Sequence, residues 1–234
     1  MLIGPRAKLK IHKAYAFIYT IKLKLNMKRK YKSLYMGKNV HIVGTNAIDL
    51  GSNVVISENT WINVNHRDKK ERQFVVGNNV LIGKNNFFSV GKRIELGDYF
   101  FSSKDCKFLG ASHVPEPMAP YSSNKVTEKN CITIGTNVFV GAGSAIIGDV
   151  TIGYGVIIGG DSVITKDIPP LSIAVGNPAR IIKRYDLKNK TWFPATKMVD
   201  LEYPSESEYV RDYLKEDNRQ LYNYIYAAES RYWL

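Results

Sequence analysis

The chain has 234 residues but only two cysteines, Cys106 and Cys131, and four histidines, His12, His41, His66 and His113. Two thiols exclude a disulfide scaffold and a four-cysteine zinc site, and they suit a reducing cytoplasm. Four scattered histidines give no three-ligand constellation, so no metal is expected and a metal-dependent hydrase is disfavoured. Long apolar runs are also missing. The longest near the N-terminus, Ala14 to Ile21, has eight residues and is followed by Lys22 and Lys24. It is too short to span a bilayer, and no Ala-x-Ala-like cleavage site follows, so no signal peptide is read. Acidic residues are absent from the first 48 positions, which hold eleven Lys or Arg; the first carboxylate is Asp49. The other 186 residues carry twenty-two basic and twenty-one acidic side chains, so the net charge of +12 divides into +11 and +1. A basic arm on a nearly neutral body argues against a globular nucleic-acid-binding domain, and no nucleic-acid partner is expected.

What the chain does have is a period. Apolar residues make up 44% and charged residues 23%, as in a soluble globular protein. From Ile134 an aliphatic recurs every six positions: Val140, Ile146, Ile152, Ile158 and Ile164. Gly135, Gly141, Gly153 and Gly159 each follow one of them, and a second small or apolar residue comes four positions on, as at Val138, Ser144, Val156 and Ser162. A period of six fits neither a helix nor a half-buried strand. It fits a coil with flat faces, each face one short strand plus a corner, the glycine serving a corner with unusual backbone angles. Leu50, Ile56 and Ile62 keep the spacing upstream, as do Val76, Ile82 and Phe88; Leu96 restarts it after a slip of two residues. The reading is an all-β parallel β-helix of about six or seven coils, over residues 36–184, broken at 63–75 and 110–131.

The stretch Ile134 to Arg184 reads IGTNVFVGAGSAIIGDVTIGYGVIIGGDSVITKDIPPLSIAVGNPARIIKR. It resembles the C-terminal half of the hexapeptide-repeat acyltransferases, the family of galactoside, maltose and xenobiotic acetyltransferases. DSVITKDIPP followed by AVGNPARIIKR is the part that carries the resemblance most specifically. The resemblance covers residues 94–184 strongly, extends over 36–93, and leaves out 1–35 and 190–234. It implies a left-handed coil, a homotrimer with a site between each pair of neighbours, and acetyl-CoA as acyl donor. It also implies a sugar acceptor, a unit of a surface polysaccharide being the kind suggested.

His113, at the start of the long loop, is similar in placement to the family's catalytic histidine, and its near-neutral titration suits a general base. His66, in Asn-His-Arg-Asp, lies too far upstream of the final regular coils and reads as a surface-loop residue. By resemblance the Ala142 N–H, between Gly141 and Gly143, stabilises the oxyanion. Gly141, Ala142, Gly159, Gly160 and Thr165 would line the coenzyme arm. Lys166, Arg180, Lys183 and Arg184 would meet its phosphates. Phe139, where many relatives have Trp, reads as packing, and Cys106 as a buried packing residue. Asn85 and Asn86 lie where the family places an acceptor-binding asparagine, though Asn86 reads equally well as an inward residue of the coil. Tyr121, in the loop 114–130, would supply a platform for a sugar ring.

The flanks lie outside the resemblance. Residues 5–33 read as an amphipathic helix with Ile11, Ala14, Ile18, Ile21 and Leu25 on one stripe and lysines off it. Attachment to an anionic membrane surface and packing on the coil or on a neighbour both fit. Ser205 with Glu208 forms a capping box, and a helix is expected over about 206–229, packing on the coil or a partner. The function expected is O-acetylation of a sugar hydroxyl in the cytoplasm, at or away from the membrane. N-acetylation of an amino sugar and a non-catalytic scaffold are the alternatives.

Overall fold

The computed structural model describes residues 25–27, 30–31, 33–64, 71–113, 117–118, 120, 126–127, 130–196 and 202–214. Most of the basic arm, His12, His66 and Tyr121 lie outside them. The body is a parallel β-helix of strands two to four residues long on three faces. The first face stacks seven parallel strands, beginning with Leu34–Met36, Val54–Ile56, Val80–Ile82 and Phe101–Ser102 and continuing through Phe139–Val140, Ile157–Ile158 and Ser172–Val175. The second face is a six-stranded sheet running from His41–Val43 to Val163–Ile164, and the third a five-stranded sheet from Ile48–Leu50 to Val150–Ile152. Six turns of coil separate the first strand of the first face from its seventh.

Each strand contributes inward side chains that stack on their counterparts one coil away. Ile56 and Ile82 pair in register, as do Phe88 and Phe108, and all four are fully buried. The Phe88 and Phe108 rings stack at 4.4 Å and 4°, with Phe74 and Phe100 edge-on to them. Fully burying such a side chain is worth about 1.5–3 kcal/mol, so this interior dominates the stability of the coil. The residue four positions after each corner aliphatic is also inward: Val40, Thr60, Val80, Asn86, Phe100, Cys106, Val138, Ser144 and Ser162 are all buried.

The hexad places glycine for a different reason from the one expected. Gly135, Gly141, Gly153 and Gly159 are not among the positive-φ residues. The left-handed position falls three residues after the aliphatic, at Asn53, Asn59, Asn79, Asn85, Tyr99, Asp105, Asn137, Gly143, Gly155 and Asp161. Asparagine, aspartate and glycine tolerate it best. The glycine directly after the aliphatic instead permits close stacking: a Cβ on Gly141 would sit 2.5 Å from the Gly160 nitrogen of the next coil.

Every interruption falls at one corner, between the second and third faces. There the coil's strands are joined by connections of different length, from Val43 to Ile48, Val64 to Phe74, Val90 to Arg93 and Leu109 to Cys131, whereas 148–149 close the last of these corners directly. The two-residue slip before Leu96 is therefore a corner of variable length.

At the start of the coil, Met27 is buried in the core and Tyr31 donates to the Ile48 carbonyl at 3.0 Å. At the other end, Arg180–Asp186 turns back antiparallel on Ser172–Val175 and pairs with Thr191–Pro194. A short helix, Glu206–Asp212, then docks on the coil. Tyr209 stacks on Tyr154 at 4.5 Å, and its hydroxyl accepts from Asn137 Nδ2 at 2.8 Å. The expected capping box is present. The helix is shorter than the 206–229 expected: Tyr209 O accepts from both Tyr213 and Leu214, which widens and closes the last turn, and Tyr213 leaves helical geometry. Residues 215–229 lie outside those described. Among the described residues no helix is long and apolar enough to cross a membrane.

Candidate functional site

The hexad fixes the geometry of the corner that holds Gly141, Ala142 and Gly143. The Gly141 N–H donates to Ile158 O at 2.8 Å, Gly143 to Lys104 O at 3.1 Å and Ser144 to Gly141 O at 3.4 Å. The Ala142 carbonyl accepts from Asp161 N–H at 2.8 Å. Among the described residues, the Ala142 N–H alone of the four amides 141–144 has no acceptor. The repeat indicates which way it faces. The residue two positions after the aliphatic is Ser52, Asn78 or Thr136 in other turns of the coil. Their N–H groups donate outward to Asn78 Oδ1 at 2.9 Å, Asp98 Oδ1 at 2.7 Å and Glu206 Oε1 at 2.5 Å. Those three lie at the corner between the third and first faces; Ala142 holds the same hexad phase at the corner between the first and second, and by that analogy its N–H faces outward, suited to an oxygen that arrives with a ligand.

Gly141 and Ala142 stack directly on Gly159 and Gly160, so these four are brought together. Gly160 leaves the Ala142 turn uncovered; its own Cβ would lie 3.2 Å from Ala142 O. Two carboxylates flank Gly143. Asp105 precedes it on the same column, and Asp161 follows, with Oδ1 2.1 Å from where a Gly143 Cβ would lie. The column above is a ladder of corner amides: Asn39 Nδ2 donates to Asn59, Asn59 Nδ2 to Asn85 and Asn85 Nδ2 to Asp105, at 2.9–3.2 Å. Alongside runs a groove of about 270 Å³, with an apolar floor of Tyr35, Val55, Leu81 and Phe101, ending at Ser103 and Lys104.

The other expected residues are dispersed. His113 is exposed on a short strand, Ser112–His113, antiparallel to Val126–Thr127. It leaves the coil at the corner between the second and third faces, while Ala142 lies at the corner between the first and second. One chain therefore does not bring His113 and Ala142, the expected base and the expected oxyanion donor, to the same corner. The basic residues do not form a single cluster either. Thr165 and Lys166 are exposed after Val163–Ile164, and Arg180 and Lys183 are exposed on the strand that turns back along the first face. Arg184 is half-buried and lies over the Tyr203 ring at 4.7 Å, so it packs inside the C-terminal segment.

Of the two readings of Asn86, acceptor-binding or inward, the structure shows the inward one. It is 1% exposed, its Nδ2 donates to Ser102 Oγ at 2.6 Å, and its Oδ1 accepts from Cys106 N–H at 2.8 Å. It points into the coil and cannot meet an acceptor. Asn85 stays at the surface as a rung of the ladder. Cys106 is buried as expected, and desolvation pushes its thiol up to about 11. Asp105, the groove and the contacts of Cys106 were missed by sequence reasoning. The signal was there in the phase: Asn59, Asn85 and Asp105 share one hexad position, and Thr60, Cys106 and Ser144 another. Among the described residues, no group of three or more His, Cys, Asp or Glu could hold a metal ion.

Comparison with known proteins gives the class to which this short-stranded β-helix with hexapeptide phase belongs. The chain belongs to the hexapeptide-repeat acyltransferases. It is 31% identical over 144 residues to galactoside O-acetyltransferase of Escherichia coli K12, covering 59% of this chain and 67% of that one. It is 42% identical over 112 residues to a Staphylococcus aureus Mu50 protein provisionally named an acetyltransferase, covering 47% of this chain and 55% of the other. The chain thus spans about half the length of these Staphylococcus aureus relatives. The N-acyltransferase AntD of Bacillus cereus, solved with dTDP and coenzyme A, shares the fold: TM-score 0.55, 23% identity, 70% of this chain and 90% of that one. The left-handed coil expected from the resemblance is that of this fold. No model of a protein family matches the chain.

Proposed function

We propose that the protein is an acetyl-CoA-dependent O-acetyltransferase acting on a sugar hydroxyl. The observation that carries this reading is the Ala142 N–H, held outward in a fully bonded turn with no acceptor among the described residues. Family membership and the galactoside acetyltransferase likeness support the donor and the acceptor class.

Acetyl-CoA lies along Gly141, Ala142, Gly159 and Gly160, whose missing or small side chains let the pantetheine arm reach backbone groups. Thr165, Lys166, Arg180 and Lys183 meet the far end of the coenzyme, the cations pairing with phosphate. The acceptor sugar enters the groove beside Ser103 and Lys104. The exposed amide of Asn85 and the carboxylate of Asp105 offer partners for its hydroxyls, and Tyr121 a platform for its ring. His113 takes the proton of the acceptor hydroxyl as its oxygen attacks the thioester carbonyl. The tetrahedral oxyanion is met by the Ala142 N–H. Its collapse breaks the C–S bond, and the proton held by His113 passes to the departing CoA thiolate.

His113 and Ala142 sit at different corners of one chain, which favours a site completed by a second copy. The part of the first face beyond the groove favours the same assembly: Phe139 and Ile157 lie in line with each other, each 36% exposed. A homotrimer burying this row places the histidine of one copy against the corner of the next. The basic arm, residues 5–33, holds the trimer to an anionic membrane surface on the cytoplasmic side, where surface polysaccharide units are built.

The test is transfer of labelled acetyl from acetyl-CoA to a panel of hydroxyl and amino sugars, with the oligomer measured by light scattering. Ester products on hydroxyl sugars support the reading. Amide products alone replace it with N-acetylation, and no transfer to any sugar overturns it in favour of a scaffold.

A further inference from the structure

We propose that Cys106 is a positioning residue for the transfer: from inside the coil, its thiol holds the Gly141 carbonyl inward and thereby turns the Ala142 N–H outward. The inference rests on the function proposed above and concerns how this chain sets its oxyanion donor.

The argument is one of peptide geometry. The Gly141–Ala142 bond is trans, since Asn177–Pro178 is the cis bond among the described residues. In a trans peptide the C=O and N–H of one plane point in opposite directions. Whatever fixes the Gly141 carbonyl therefore fixes the Ala142 N–H. The Gly141 carbonyl lies 3.3 Å from Cys106 Sγ, which is fully buried. Three other carbonyls are farther from the sulfur: Ser103 at 3.5 Å, Lys104 at 3.6 Å and Val140 at 3.9 Å. Gly141 is thus the nearest acceptor for its single proton. Burial keeps that proton in place at any ordinary pH.

The repeat uses the same device in other coils, with hydroxyls. Thr60 Oγ1 donates to Gly83 O at 3.0 Å, and Ser144 Oγ donates to Gly159 O at 2.9 Å. In each case the donor is the inward residue four positions after the aliphatic, and the acceptor is the glycine carbonyl one coil further on. Cys106 and Gly141 stand in that relation too. At the coil before the candidate oxyanion turn, the hydroxyl is replaced by a thiol, a weaker donor of similar shape. A serine at 106 should therefore serve at least as well, while alanine leaves the Gly141 carbonyl with only the long bond from Ser144 N–H, at 3.4 Å.

The experiment compares Cys106→Ala and Cys106→Ser with the full-length protein in the acetyl-transfer assay, reading kcat, KM for acetyl-CoA and Tm. The expected result is a drop in kcat of about fivefold for Cys106→Ala with KM changed less than about twofold, since the anchored amide acts on the oxyanion more than on bound thioester. Cys106→Ser restores kcat to the unsubstituted level. A kcat for Cys106→Ala equal to that of the unsubstituted protein overturns the inference. So does an equal fall for Ala and Ser, which makes the cysteine a matter of packing. If the unsubstituted protein transfers no acetyl to any sugar, it is the functional reading that fails first, and the positioning role falls with it.

Discussion

Replacing Ala142 by proline removes one N–H and leaves the rest of the corner intact. Residues 141–144 form a four-residue turn closed by Ser144 N–H on Gly141 O at 3.4 Å, with Gly143 at φ 74 in the third position. A positive φ there fits a type II turn, whose second position sits near φ −60°, the value a proline ring imposes. The deleted N–H has no acceptor among the described residues, so no internal hydrogen bond is broken. Proline also restricts the unfolded chain, so Ala142→Pro is expected to leave Tm unchanged or raise stability by about 0.4–1 kcal/mol. The effect on catalysis is opposite in sign and larger. Losing one preorganised oxyanion donor costs about 100- to 1,000-fold in kcat, or about 2.7–4 kcal/mol of transition-state stabilisation. Ala142→Gly keeps the N–H and is expected to retain most of the activity. Initial rates with labelled acetyl-CoA, together with thermal melts, read both quantities. A folded Ala142→Pro protein whose kcat stays within about tenfold of the original refutes the assignment, because no other change in the turn could compensate for the missing donor.

Three further outcomes follow from other parts of the molecule. His113→Ala should lower transfer at least about 100-fold with the oligomer intact, measured by initial rates and light scattering; near-normal turnover removes His113 as base. Phe108→Ala deletes a fully buried ring stacked on Phe88 at 4.4 Å and should cost about 3–5 kcal/mol in urea unfolding. Glu208 is held below its ordinary value of 4.5 by the Ser205 hydroxyl and then by the Ser205 N–H, so its contribution is complete above that value and is lost as pH falls through the lowered one. Acid titration followed by tyrosine fluorescence should release the helix Glu206–Asp212 in that range, and Glu208→Gln should flatten the change.

The fold was legible because its period is covalent arithmetic. Ile134, Val140, Ile146, Ile152, Ile158 and Ile164 must all face one way if six residues make one side of a coil, and nothing distant can override that. The reason for the glycines was not legible. Gly141 looks like a residue needing a special φ, and only the Gly160 nitrogen one coil away reveals that space decides. Asn86 failed for a related reason. A polar residue in an inward column is tolerated when both ends of its amide are satisfied, and Ser102 and Cys106 satisfy them from the next coil. The break of the C-terminal helix at Tyr213 has no sequence signal comparable to the Ser205 capping box. The docking of that helix rests on Tyr209 meeting Tyr154 and Asn137, two contacts that the linear order hides.

The two kinds of corner divide the labour of the coil. A corner closed in the hexad register cannot vary in length without shifting every inward side chain after it, so its backbone is rigid, and its second N–H is aimed outward at Ser52, Asn78 and Thr136. That suits a donor which must not reorganise when charge develops. The corner between the second and third faces absorbs insertions of different length at 44–47, 65–73 and 110–130, and it can carry a histidine on a loop without disturbing the stack. The proposed donor, Ala142, and the proposed base, His113, thus fall at different edges of the same prism. In the proposed trimer a second copy packed edge to face would reunite them, and the Phe101, Phe139 and Ile157 row lies on the face next to the Ala142 corner, where such a copy would sit. Charge substitution at the centre of that row, Phe139→Asp, tests the argument. It should dissociate the oligomer and abolish transfer together, while the isolated coil keeps its β-sheet circular dichroism. A monomer that still turns over at the original rate would mean that one chain suffices and that loop 110–130 reaches the first corner on its own.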